Sequence, residues 1–305
     1  MVHGTHNAVK DERNENIKIY INGNFYKRNE AKISVFDSGY LVGDGIWEAV
    51  RLVKGKLVFI DDHLSRLWAA AKSIGVNLPF SKSELIDIIN DVLKKNDMHD
   101  GVHVRFMVTR GIKKTPSQDP RLTISEPNLV IIPEYKLADF KSKLKGIKLF
   151  TSTIRRGSPD YLDPKLNCHS KLHEVQALIQ AIEAGADEAL MLDINGSVST
   201  CNSTNFFIVK NGVVFTSTGQ YCMNGITRQK IIDVCKRKSI ICREENFSLF
   251  DVYAADEAFV TGTFAGLTPV VSVDGRDIEN YSKYKIVDTL MEGYKELVKE
   301  QIEKL

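Results

Sequence analysis

Five short turns set the terms for this chain. Asn22-Gly23, Lys54-Gly55, Asn195-Gly196, Asn211-Gly212 and Asp274-Gly275 each separate two alternating or apolar runs. Such pairs supply the positive φ angles of a two-residue hairpin turn, so antiparallel sheet is expected at intervals along the whole sequence. Helical periodicity is interleaved with it. The stretch DDHLSRLWAAAKSIG places Leu64, Leu67, Trp68, Ala71 and Ile74 on one face, with an Asp cap ahead and Gly75 behind. In SKSELIDIINDVLKK, Ser81 and Glu84 stand at capping-box spacing, and Leu85, Ile88, Ile89 and Val92 fall together.

Two strand-like runs, VHVRFMVT and NLVII, complete a first α+β domain over residues 17–135. The charged stretch PEYKLADFKSKLKG reads as a linker over 136–146. In the larger second half, residues 147–305, the strands IKLFTSTI and EALMLDI flank the helix LHEVQALIQAIEAG, predicted to bury Leu172, Val175, Ile179 and Ile182. The helix TRQKIIDVCKRK and an amphipathic terminal helix from about Tyr284 follow.

At 305 residues the chain has room for two packed domains. A net charge of +2, spread without blocks, offers neither a nucleic-acid groove nor a membrane-binding face, so the expected partner is a small molecule. The five cysteines are odd in number and lack CxxC spacing, which argues against a disulfide framework and a structural zinc site. A reducing, cytoplasmic setting is expected. No apolar run approaches a membrane span, and residues 1–16 read as a polar, mobile tail.

Several segments could carry chemistry. In MNGITRQKII, Gly225 immediately precedes a helix beginning near Thr227, and a helix start with a hydroxyl in its first turn suits a phosphate. Alone, the same letters also describe a glycine turn with a threonine cap. VTGTFAGLTPV carries small and hydroxyl residues from Thr261 to Thr268 at a strand end, and Arg66 stands on a helix whose other face is core. LDPKLNCHSKLHEV gathers Lys165, Asn167, Cys168, His169, Lys171 and His173 before a helix. His169, His173 and Glu174 have helical spacing, but there is neither an HExxH order nor a third ligand, so no metal is expected.

These segments fall in one order. INGNFY, SVFDSGYLVGDGIWEAVRLVKGKLVFIDDHLSRL, VHVRFMVTRG, LDPK, GADEALMLDINGSV, NFFIVKNGVVFTS, GITRQKII and ADEAFVTGTFAGLTPV together resemble the class IV aminotransferases, from about Ile17 to the C-terminus. This is the fold-type-IV pyridoxal phosphate family, which includes branched-chain and D-amino-acid aminotransferases and aminodeoxychorismate lyase. The resemblance implies a two-domain α/β fold with a smaller N-terminal and a larger β-rich C-terminal domain. It also implies pyridoxal 5'-phosphate as cofactor, an amino acid, amine or keto acid as substrate, and a homodimer whose partner loops complete each site. Arg66, Gly225, Ile226, Thr227, Gly262 and Thr263 match the family's phosphate contacts. Arg105 matches a residue that holds substrate carboxylates, with His103 where relatives often have tyrosine. Tyr40, Trp47, His103 and Phe264 would wall the substrate pocket.

The chain departs from the family at two positions. Counting from Leu162-Asp163-Pro164, or back from Gly185-Ala186-Asp187-Glu188, places Asn167 where relatives have the lysine that bonds to the cofactor. Thr200 stands where they typically have a glutamate facing the ring nitrogen, and a hydroxyl brings no charge there. Three readings follow. Lys171, which replaces a family tyrosine, is the working amine; or Lys165 serves, by a two-residue shift or by sharing a strand face; or neither lysine bonds to the cofactor. An aminotransferase-like enzyme is expected, with a lyase or a lysine-less binder of a phosphorylated ligand as the alternatives.

Overall fold

A computed structural model describes residues 5, 8–138, 145–278 and 285–303. Most of the expected linker, residues 139–144, and the expected helix start at Tyr284 lie outside the described residues. The chain divides into two compact units, one of Val9–Leu137 with Asn167–Lys171, the other of Met1–Ala8, Ala138–Leu166 and Leu172–Leu305.

The first unit is an antiparallel sheet with helices. Its strands are β1 (Lys18–Ile21), β2 (Asn24–Lys27), β3 (Gly45–Val53), β4 (Lys56–Val58), β5 (Val102–Thr109) and β6 (Asn128–Tyr135), in the order β2-β1-β6-β5-β3-β4. The Asn22-Gly23 and Lys54-Gly55 turns join β1 to β2 and β3 to β4, and all four turn residues have positive φ. The helices are α1 (Ser38–Val42), α2 (Ile60–Ser73) and α3 (Lys82–Lys95). Ser81 and Glu84 form the expected capping box on α3, whose Leu85, Ile89 and Val92 are buried. Helix α2 buries Leu64, Leu67 and Ala71 but has no Asp cap. Phe59, in the left-handed region at φ 56°, precedes it, and Asp61 and Asp62 sit in its first turn, where the helix dipole favours negative charge. Residues 12–16, expected as tail, form a short 3-10 helix. There the Asn14 side chain bonds both backbone groups of Tyr135, at 2.8 Å each, and the Arg13 guanidinium lies over the Tyr135 ring.

One edge of β3 is paired twice. Strand β4 occupies only Arg51–Val53, and the other end is taken by a chain segment from far along the sequence. Trp47 N donates to Asn167 O and His169 N to Gly45 O, both at 2.9 Å, with Cys168 opposite Ile46 as an antiparallel bridge. The GYLVGDG run makes room for this: a Cβ at Gly45 would lie 2.9 Å from His169 Nδ1, and one at Gly43 would lie 2.5 Å from Ser170 Oγ.

The second unit holds β7 (Ile147–Thr151), β8 (Glu188–Leu192), β9 (Val198–Cys201), β10 (Asn205–Lys210), β11 (Val213–Thr216), β12 (Cys242–Glu244), β13 (Glu257–Gly262), β14 (Gly266–Val273) and β15 (Arg276–Asp277). They run β12-β11-β10-β13-β14-β7-β8-β9, with β15 beside β14. The Asn195, Asn211 and Asp274 turns each close an antiparallel pair. Its helices are α4 (Leu172–Glu183), α5 (Ile226–Arg237), α6 (Leu249–Tyr253) and α7 (Ile286–Glu303). The core joins Leu149, Leu190, Phe206, Ile208, Val260 and Val270.

Helix α4 reverses the expectation. Its buried face carries Glu174, Ala177 and Ala181, and the small alanines pack on Ala189 and Met191 of β8. Leu172, Val175, Ile179 and Ile182 are instead 70%, 51%, 49% and 46% exposed, an apolar stripe on the outer face. The periodicity marked an apolar face correctly, but the alanine face is the one that fits against the sheet.

Candidate functional site

The residues singled out by sequence fall in both units. In the first, β3 carries one carboxylate, Glu48, whose side chain is almost wholly buried. This carboxylate accepts from Arg66 Nε at 2.6 Å and Nη2 at 2.9 Å, and lies 2.7 Å from His63 Nδ1. Burial alone would raise the Glu48 carboxyl, but the charge and hydrogen bonds of Arg66, with His63 beside them, bring it below its ordinary value. The bidentate bond fixes the guanidinium plane of Arg66, the expected phosphate ligand. Glu48 was not found by sequence reasoning. Its signal is a lone carboxylate within GIWEAVRLV.

On β5, Arg105 stacks over the Trp47 ring at 4.0 Å and is half-buried, and that desolvation lowers its pKa against the opposing pull of Glu134. A guanidinium out of water is a strong partner for a carboxylate. His103 is buried on the same strand, in register with Arg51 and Glu134, whereas Tyr40 on α1 is 72% exposed.

The segment 167–171 is held against β3 by side chains as well as by backbone. Asn167 Nδ2 donates to Trp47 O at 2.7 Å, and Trp47 Nε1 donates to Cys168 O at 3.2 Å. Asn167 is buried, with Oδ1 unpartnered among the described residues, and so is Nε2 of His169. Lys171 is half-buried and directly precedes α4.

In the second unit, α5 starts at Ile226 after Gly225, and no side chain caps it. A Cβ at residue 225 would collide with Asn205 Oδ1, so a larger residue there would have to displace the Asn205 side chain. Asn205 Nδ2 donates to Met223 O at 2.9 Å, and the same residue stands opposite Thr261 in the β10–β13 register. The start of α5 and the end of β13 thus meet at Asn205. Thr227 is buried in the first turn of α5, and the Thr261 hydroxyl is buried with no partner among the described residues. Gly262 ends β13, and Thr263 and the buried Phe264 lie in the turn leading to β14. Asn205 was also missed, for a polar residue at a strand end carries no periodic signal.

Thr200, on β9, donates to Thr204 O at 2.8 Å, and the Thr204 hydroxyl donates to Glu188 Oε2 at 2.7 Å. Thr5 donates to the other oxygen of Glu188. Burial raises the Glu188 carboxyl, and these hydroxyls only partly offset it. Lys165 does not share a strand face with Asn167. It lies exposed in a turn closed by Leu166 N on Asp163 O at 3.0 Å, its own N–H bound to Asp163 Oδ1. His173 and Glu174 serve Arg156, whose Nη1 is 2.8 Å from each.

Taken unit by unit, some of these residues fit pyridoxal phosphate and others do not. The uncapped helix start and unsatisfied buried hydroxyl of the second unit suit a phosphate, as does the fixed guanidinium of the first. An amide already bonded to Trp47 cannot join the cofactor aldehyde, and the Thr200 proton is committed to a carbonyl.

A model of the family described as amino-transferase class IV matches residues 45–273. A putative branched-chain-amino-acid aminotransferase of Methanocaldococcus jannaschii is 39% identical over 284 residues, 92% of this chain and 96% of that relative. D-alanine aminotransferase of Listeria monocytogenes is 30% identical over 289 residues, 92% of this chain and 96% of its own length. Among solved structures, a T.th. branched-chain amino acid aminotransferase complexed with N-(5'-phosphopyridoxyl)-L-glutamate gives a TM-score of 0.86 at 27% identity, covering 94% of this chain and 95% of that one.

Proposed function

This chain belongs to the class IV amino-transferase family, and from that membership we propose that it is a pyridoxal-phosphate-dependent enzyme moving an amino group between a small amino acid or amine and a keto acid. The observation that carries the reading is the uncapped start of α5, with Gly225 packed against Asn205 and buried hydroxyls at Thr227 and Thr261. When bound, the cofactor supplies a ring that takes up the electrons left as a proton leaves the substrate carbon. Arg66, Ile226, Thr227 and Thr263 hold its phosphate, with Gly225 and Gly262 leaving the backbone open. Arg105, stacked over Trp47, orients the substrate carboxylate. Lys171 is the amine that carries the proton at the substrate Cα and is the candidate to join the cofactor aldehyde. The names of the relatives, branched-chain and D-alanine aminotransferases, mark the range of substrates to assay first. The five free thiols suit a cytoplasmic setting.

Asn167 and Thr200 favour a second reading, in which the phosphorylated ring is bound without a covalent lysine and the reaction is an elimination or no transamination at all. Borohydride reduction of the pyridoxal-phosphate-loaded protein separates the two. A visible absorption band made permanent and mapped to the Lys171 peptide supports the first, and a band that resists trapping supports the second. Absence of any band after incubation with the cofactor overturns both.

The exposed stripe of α4 supports the homodimer, with a second copy as its occupant. Exchanging Val175 and Ile179 for glutamate is expected to halve the mass measured by sedimentation while leaving the circular dichroism spectrum unchanged, because neither side chain packs in the core of its own chain. An unchanged mass would rule this face out as the contact.

A further inference from the structure

We propose that Cys242 and Cys235 form a peroxide-reactive thiol pair, in which Cys242 is the site of oxidation and Cys235 closes a disulfide onto it. Both residues belong to the second unit, and the pair is independent of the cofactor.

The fold brings the two sulfurs together by a turn and by a face. Helix α5 ends at Arg237, and Ile240 N bonds back to Cys235 O at 2.8 Å, while Ser239, at φ 56°, takes the left-handed conformation that reverses the chain. The chain then enters β12, where Cys242 stands opposite Val214. Arg228 precedes Cys235 by seven residues, two helical turns, and so shares its face of α5. Glu244 follows Cys242 by two residues and shares its face of the strand. Arg228 Nη2 donates to Glu244 Oε2 at 2.8 Å, so these two faces meet. The thiols, hydrogen-bonded to each other, lie between that ion pair and the turn.

The two thiols are not equivalent. Cys235 is fully buried and keeps its proton, because the hydrogen bond to Cys242, and then burial, raise its pKa. Cys242 is half-buried on β12, the edge strand of the sheet. The hydrogen bond from Cys235, with the charges of Arg228 and Lys236, lowers its pKa against burial and Glu244. A thiolate with solvent access is the form that peroxide oxidises, whereas buried thiols such as Cys168, Cys201 and Cys222 are shielded. The Cys242 sulfur displaces hydroxide from hydrogen peroxide and becomes a sulfenic acid. The Cys235 sulfur then attacks it: an S–S bond forms, the S–O bond breaks, and the departing hydroxide takes the Cys235 proton and leaves as water. The peroxide gains the two electrons that the thiols lose, and a dithiol reductant reverses the change by exchange. Closing a loop as short as 235–242 removes little entropy from the unfolded chain, so the bond is a chemical response rather than a staple.

The test treats the reduced, full-length protein with hydrogen peroxide, blocks the remaining thiols with iodoacetamide and digests with trypsin. Cleavage after Lys230, Lys236, Lys238 and Arg243 leaves the two cysteines in separate peptides, 231–236 and 239–243, which only a disulfide holds together. The linked species is expected from wild type, and dithiothreitol is expected to separate it. Cys235→Ser is expected to leave Cys242 as a sulfenic acid trapped by dimedone, and Cys242→Ser to leave Cys235 unoxidised. Without peroxide, iodoacetamide is expected to label Cys242 about tenfold faster than Cys235. Absence of the linked peptides from folded wild type, whether Cys242 stays reduced or stops at an oxidised acid, overturns the inference. So does equal labelling of the two thiols, or a Cys235 that oxidises just as fast in Cys242→Ser.

Discussion

Asn167→Lys is expected to produce a protein that keeps pyridoxal phosphate through denaturing gel filtration after borohydride treatment, with the adduct mapped to residue 167. The effect is from no attachment at this position to near-stoichiometric attachment. Asn167 is 3% exposed, and an ammonium placed there loses its hydration. Burial of this kind lowers a lysine pKa, by up to about 3–5 units for fully buried groups, which leaves the amine uncharged and nucleophilic. The exchange also breaks the bond to Trp47 O, at a cost of about 1 kcal/mol, too small to unfold a domain of this size. If Lys171 carries the adduct in wild type, peptide mapping should show it move to residue 167. A folded Asn167→Lys protein that binds the cofactor but forms no trapped adduct would show that residue 167 does not face the aldehyde.

Glu48→Ala is the second large effect. Arg66 and His63 would lose the carboxylate that both bind, in a place where water replaces it poorly, and removing one partner of a buried pair costs about 3–5 kcal/mol. Denaturant unfolding measures that loss, and Glu48→Gln, which keeps the shape but not the charge, should recover only part of it. Because the folded protein holds this carboxyl below its ordinary value, its contribution is fully present above the unfolded carboxylate pKa, about 4.3. It is lost as pH falls through the lower folded value. The gap between wild type and Glu48→Gln should therefore narrow in acid, and a gap independent of pH would contradict the assignment of charge to Glu48. Affinity for inorganic phosphate should fall with it, since Arg66 would lose the partner that fixes its plane.

The hairpins were legible because two adjacent positive φ angles admit few residue types, and the chain writes those types plainly at Asn22, Asn211 and Asp274. The capping box at Ser81 and Glu84 was equally plain. Helix α4 misled for a physical reason: periodicity shows that a face is apolar, not what covers it, and alanines with a paired Glu174 packed better against β8 than Leu172 or Ile179. Phe59 took the cap position of α2 through its backbone conformation, which no side-chain pattern announces. In the candidate site, the helix start at Thr227 and the turn at Thr263 were legible as places in the fold. Glu48 and Asn205 were not, because each bonds a partner distant in sequence: Arg66 and Met223.

The pairing of Asn167–His169 with Gly45–Trp47 has a consequence for biosynthesis. Everything else in the first unit has been translated by residue 137, yet one rim of its sheet stays open until a further stretch of chain has emerged from the ribosome. During that interval the nascent protein offers unpaired backbone groups at Gly45 and Trp47 to any extended peptide nearby. Thr5 waits longer still, because its carboxylate partner is residue 188.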